Sequence, residues 1–234
     1  MPIKFNKMMR VDLALFVASV VFFIVWPNVD LSLAALFYDP STKSFPGANN
    51  GILEVPYRIF AYIHIPYLLI LITGSVWFHI QFRANKNEQS KSLRKKFLYL
   101  LCCLLVGPGI LVNAVLKDNS IGRARPRDVV QFDGAHQYTG AFRYSGACQR
   151  NCSFTSGHAA IGFFALALGW VFASRLWLAS GILLGALLGL MRMAQGAHFF
   201  SDVLFSFWVV YWTSLVFASL FSLSLNLPQH EPQK

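Results

Sequence analysis

Residues 97–126 read FLYLLCCLLVGPGILVNAVLKDNSIGRARP. The first twenty, Phe97–Leu116, carry no charge and include a Gly-Pro-Gly break. A bilayer core takes roughly 20 apolar residues of helix, so this run predicts a membrane span. It ends abruptly at Lys117, and the next ten residues hold Lys117, Asp118, Arg123 and Arg125. A span that stops in a cationic, glycine-containing loop sets the theme of the whole chain.

Five more apolar runs flank this one: Val11–Trp26, Val55–Ile80, Ala159–Ala173, Leu176–Met193 and Val203–Leu225. The fourth and fifth spans are split only by Ser174-Arg175, which predicts a tight turn, since one helix of that length would overshoot a membrane. The expected fold is all-α: a polytopic membrane protein of six transmembrane helices, with residues 1–234 as one domain and its polar motifs within 117–202. Composition agrees. Of 234 residues, 56% are hydrophobic and 13% charged, where soluble domains carry about 25% charged residues. The formal net charge of +10 points to an anionic partner. The apolar runs make that partner a lipid rather than nucleic acid.

Lys4, Lys7 and Arg10 precede the first run, and Ser32-Leu33-Ala34 is a weak cleavage pattern. That run is long for a signal peptide, so an uncleaved span is expected. Arg83–Lys96, read as a loop, holds six Lys and Arg against Glu88. Basic loops stay cytoplasmic. This puts both termini in the cytoplasm and residues 27–54, 117–158 and 194–202 on the outer face. The 117–158 segment is also basic, which opposes that assignment unless its cations form an anion site.

Three polar clusters support the anion site. The first runs from Lys117 to Pro126, the second is Ser153-Phe154-Thr155-Ser156-Gly157-His158, and the third is Arg192-x5-His198-x3-Asp202. Alternating span direction brings all three to one membrane surface. Ionisable residues at span ends are functional candidates. Lys117, Arg125 and Arg192 supply fixed positive charge for a phosphate monoester, and Arg forks match its oxygens. Ser156 and Gly157 stand at a helix start, where N–H groups favour anions. His198 and Asp202 share a helix face at a spacing of four. A carboxylate behind an imidazole leaves the far nitrogen free to attack, and His158 then protonates the leaving oxygen. Asp118, Asp128, Asp133 and Asp202 are too scattered for a metal pair. A metal-free, cofactor-free reaction is expected, with no obligatory protein partner. His64, His79, His136 and His230 are read as structural. Cys148-x3-Cys152 could close a small disulfide ring in an oxidising compartment, and that pairing stays open here.

These clusters resemble the type 2 phosphatidic acid phosphatase superfamily, whose motifs read K-x6-RP, PSGH and SR-x5-H-x3-D. The resemblance implies a six-helix core and hydrolysis through a phosphohistidine. By position, His198 is its nucleophile, His158 its general acid and Asp202 the partner of His198. Lys117, Arg125, Ser156, Gly157 and Arg192 bind phosphate. Three departures stand out: seven residues separate Lys117 from Arg125, so Arg123 could share the role; Thr155 replaces proline; Met191 replaces serine. Asp30–Pro46, Gly107-Pro108-Gly109, Arg123–Phe132 and the cysteine pair before Ser153-Phe154 are similar to the bacterial branch containing lipid A phosphatases. The implied substrate is an anionic phospholipid or glycolipid, foremost lipid A, processed at the periplasmic face of the inner membrane. Undecaprenyl diphosphate and phosphatidylglycerophosphate are alternatives. A phosphotransferase and a non-catalytic lipid-binding or transport protein are readings from other classes.

Overall fold

A computed structural model describes residues 7–225, with side chains from residue 11 onward. Lys4 and His230 therefore lie outside the described residues, as do the side chains of Lys7 and Arg10. Every regular element among the described residues is a helix, joined by loops with two isolated bridges, Asp39 to Ser44 and Val129 to His136. The elements are α1 (Lys7–Val25), α2 (Val29–Ala35), α3 (Gly51–Asn85), α4 (Glu88–Lys117), α5 (Gly157–Phe172), α6 (Arg175–Ala194) and α7 (Phe200–Leu220).

Helices α3, α4, α6 and α7 are long and apolar enough to cross a membrane, and α1 with α2 makes a fifth candidate if the 83° bend between them is counted as one broken span. Of the six expected spans, four or five thus meet the test of length and composition. The first is the bent α1–α2 pair, and α5 falls short: it has fewer than 18 residues and is roughly 24 Å long, against a hydrocarbon core of about 30 Å. It stops at Ala173, whose left-handed φ of 50° ends the helix. Arg175 then starts α6, which is the tight turn expected at Ser174-Arg175.

The basic Arg83–Lys96 stretch is not a loop. Helix α3 continues to Asn85, and the turn is only Lys86-Asn87, with Lys86 at φ 52° and the Asn87 side chain accepting from Gln89 N–H. Both helices extend beyond the apolar zone, and their charged ends lie there. Within the bundle, α7 is central and α3 peripheral: 44% of the α7 window is buried against 11% for α3. Side chains such as Leu69, Trp77 and Ile80 of α3 are exposed, as a lipid-facing helix requires.

Close helix contact fixes the site's frame. Helices α5 and α6 touch through glycines: a Cβ at Gly162 would lie 2.7 Å from Gly185 Cα, and one at Gly181 would lie 2.0 Å from Leu166 N. Small residues let membrane helices approach this closely. Gly181→Leu is therefore expected to lower the thermal midpoint of the protein in detergent, by overpacking worth about 1–3 kcal/mol. An unchanged midpoint would show that the α5–α6 contact is looser than this.

Candidate active site

The end of α4 carries the first cationic group. Pro108 has no N–H to give, and beyond it the helix widens to a five-residue repeat, in which Asp118 N–H reaches Asn113 O at 3.2 Å. Asn113 Nδ2 donates to Pro108 O at 2.7 Å. Such wide turns often mark functional positions. Here the turn sets Lys117 and the Asn113 amide oxygen against Gly157, where a Cβ would lie 2.8 Å from Asn113 Oδ1. A larger residue there would push the Asn113 side chain aside.

The loop after Lys117 is laced to the segment before α5. Cys148 N–H donates to Gly122 O at 3.0 Å, Ser153 N–H to Arg123 O at 2.9 Å and Cys152 N–H to Lys117 O at 3.3 Å. Cys148 and Cys152 are joined as a disulfide with Cα atoms 5.6 Å apart, an ordinary span for such a bond. Arg125 Nη2 donates to Asn151 O at 2.7 Å, so the small disulfide ring braces that guanidinium.

One cavity of about 270 Å³ brings together Lys117, Arg125, His158, Arg192 and His198. These five come from all three sequence clusters. The three cations make no ion pair among the described residues. Glu54, on the same wall, is paired with Arg58, so the cavity's charge favours an anion. Arg192 is buried, donates to Gln195 Oε1, stacks over the Tyr57 ring at 4.6 Å and leaves its Nε without a partner. His158 lies flat on Tyr57, with centroids 4.8 Å apart, and its Nε2 is 3.3 Å from Tyr57 O.

His198 sits at the cavity wall, 1% exposed. Its Nδ1 is 2.7 Å from Ser153 O. A carbonyl only accepts, so Nδ1 carries the hydrogen and Nε2 keeps its lone pair. Burial pushes the imidazole down to about 3, with Asp202 pulling the other way and Arg125 adding to the drop. The ring is therefore neutral at pH 7.

Asp202 differs from the expected direct partner. Its Oδ2 stops 3.7 Å from His198 Nδ1. That oxygen accepts from Ser153 Oγ at 2.5 Å and Phe199 N–H at 2.7 Å, and Oδ1 accepts from Arg123 Nη1 at 2.7 Å. The carboxylate thus holds the Ser153 hydroxyl and the backbone just after His198, and Ser153 O holds the ring.

Two expected phosphate ligands are placed elsewhere. Arg123 is fully buried behind the cavity, bonded to Asp202 and, through Nη2 at 2.8 Å, to Asp30; burial would weaken its charge, but the two carboxylates hold its pKa above the ordinary value. It is an internal ion-pair partner and does not reach the anion site. Ser156 is also fully buried, with Oγ accepting from Ala159 N–H at 3.4 Å as the helix cap and its N–H directed to Asp202 O. Gly157 lines a neighbouring cavity with Asn113, Lys117 and His158. Thr155 and Met191, at the departures from the family motifs, are buried as well.

Sequence reading missed Tyr57, Asn113, Ser153, Gln195 and Asp30. Gln195 had a signal, three residues from Arg192 on one helix face. Asp30 had one too, as a lone acid in an apolar helix. Tyr57 had none, because nothing local says that a span aromatic meets a histidine 101 positions away.

The family model described as PAP2 superfamily matches residues 96–225. The chain belongs to the PAP2 superfamily. The matched span contains all three motif clusters. The chain is 36% identical, over 82% of its length and 88% of the relative's, to a lipid A 4'-phosphatase of Francisella tularensis subsp. novicida. It is 30% identical to a lipid A 4'-phosphatase of Rhizobium leguminosarum, over 89% and 92% of the two chains. A lipid A 4'-phosphatase of Rhizobium etli is 29% identical over 89% and 84%. No solved structure matches the chain.

The two arginines of the first motif should separate cleanly. Arg123→Met leaves two buried carboxylates facing each other and is expected to destabilise the fold by about 3–5 kcal/mol. Arg125→Met is expected to keep the wild-type thermal midpoint and lose phosphate binding. Thermal unfolding of both variants in detergent checks this; the opposite ranking would mean that Arg123 is the anion ligand.

Proposed function

We propose that this multi-pass membrane protein is a lipid phosphatase acting on lipid A, at the 4'-phosphate named for its relatives. The observation that carries the reading is the single cavity holding Lys117, Arg125 and Arg192 unpaired beside a neutral His198 with a free Nε2.

The geometry supports the following course. Lys117, Arg125 and Arg192 take the phosphate's charge and turn the phosphorus toward His198. Nε2 attacks in line and forms an N–P bond while the bond to the sugar oxygen breaks. The bound phosphate dianion offsets the cations around His158, which takes up a proton from solvent and gives it to that oxygen; its 3.3 Å contact to Tyr57 O is long for a hydrogen bond and easily exchanged. The imidazolium formed at His198 is stabilised by Asp202 at 3.7 Å, a charge in low dielectric that acts without direct contact. Water, deprotonated by His158, then splits the N–P bond and releases phosphate. Positioning and charge stabilisation carry most of the rate, and no metal is required.

Orientation follows from two features. The Arg83–Lys96 stretch and Lys117 lie at opposite ends of α4, so a cytoplasmic basic turn leaves the cavity on the outer side. The Cys148–Cys152 disulfide fits an oxidising compartment. We infer a periplasmic site in the bacterial inner membrane with both termini cytoplasmic. Six crossings are completed by α1 and by α5, whose N-terminus starts beneath the surface at Ser156.

Phosphate release from purified lipid A tests the reading. Wild-type protein is expected to turn over in excess EDTA, and His198→Ala to lose at least about a thousandfold with its thermal midpoint retained. Strict magnesium dependence or normal turnover by the variant would contradict the mechanism.

A further inference from the structure

Beside the phosphate cavity lies a second one of about 330 Å³, and Arg125, Arg127 and Asn151 line both. Its other polar walls are Asp128, His136 and Arg150. Three guanidinium groups thus face one carboxylate. Arg127 and Asp128 approach at 3.8 Å, both about half exposed, so water screens the pair and little of the positive charge is cancelled. Arg150 makes no ion pair among the described residues.

This wall is built by backbone bonds. The disulfide ring carries Arg150 and Asn151, and Asn151 N–H donates to Asp118 Oδ1 at 2.9 Å. Arg127 N–H donates to Gly196 O at 3.0 Å, and His136 N–H to Asp128 O at 2.9 Å. The backbone that carries these cations is therefore fixed before any ligand arrives, which lowers the cost of binding. A phosphate monoester brings roughly −1.5 to −2 charge, and Lys117, Arg125 and Arg192 already match that in the first cavity. Arg127 and Arg150 are surplus to that phosphate, and the two spaces share Arg125, Arg127 and Asn151 as lining.

We propose that the second cavity is a subsite for a second phosphate group on the same headgroup, so that a bisphosphorylated glycolipid is preferred over a monophosphorylated one. This rests on the phosphatase reading and deepens it. Arg150 lines the second cavity and not the first, which makes it the discriminating position.

The test compares kcat/KM of the full-length protein in detergent on matched glucosamine lipids bearing one or two phosphates. Inorganic phosphate serves as an inhibitor in a parallel arm. Arg150→Gln is expected to lower the two-phosphate to one-phosphate ratio about tenfold, through KM. Arg150→Lys is expected to restore part of the ratio, and inhibition by inorganic phosphate to match wild type. An unchanged ratio overturns the subsite while leaving the phosphatase reading intact. An unchanged ratio with weakened inhibition by inorganic phosphate means that the cavity holds free anion, which also overturns it. Wild-type protein that hydrolyses neither lipid removes the phosphatase reading, and the subsite with it.

Discussion

The site depends on one buried guanidinium. Arg123 bonds Asp30 of α2 and Asp202 of α7, and its Nε donates to Thr139 O in the intervening loop at 2.9 Å. Its flat face lies 4.2 Å from the Phe199 ring. Ser201, next to Asp202, donates its N–H to Asp30 Oδ1 at 2.9 Å. Three chain segments that are distant in sequence are thus fixed around one cation. Breaking such a pair leaves a buried charge without compensation. The cluster determines where Asp202 points, Asp202 determines where Ser153 and Phe199 N–H sit, and these in turn hold His198. The orientation of His198 is the end of a chain that begins at Arg123.

This division of labour places two kinds of arginine two residues apart. Arg123 is neutralised inside the protein, while Arg125 is left without a carboxylate partner at the cavity. The intervening Ala124 is buried, and each guanidinium is set by its own partners, carboxylates for Arg123 and Asn151 O for Arg125. Between Lys117 and Arg125, where the chain is one residue longer than the family motif, Gly122 turns at φ 63°.

Much of the fold was legible because a bilayer imposes its own rules. Uncharged runs near twenty residues, a break at Ser174-Arg175 and polar clusters at span ends follow from the cost of polar groups in hydrocarbon. The gathering of Lys117, Arg125, His158, Arg192 and His198 followed from alternating direction alone. Two features escaped. The shortness of α5 depends on the left-handed turn at Ala173, which apolar composition hides. The placement of Arg123 and Ser156 depends on tertiary partners, Asp30 and the α5 N-terminus, and a motif cannot say whether its cation serves a ligand or a neighbouring carboxylate. Tyr57 was invisible for the same reason, since its role exists only where α3 leans on His158.

Covalent chemistry at His198 Nε2 is the step on which the proposed mechanism stands. It is tested by alkaline quench of the protein during turnover of lipid A labelled at the susceptible phosphate, followed by peptide mapping. A phosphoryl group is expected on His198, appearing during turnover and decaying as phosphate is released. Label on a different residue, or phosphate release with no protein-bound label at any time, would overturn the mechanism.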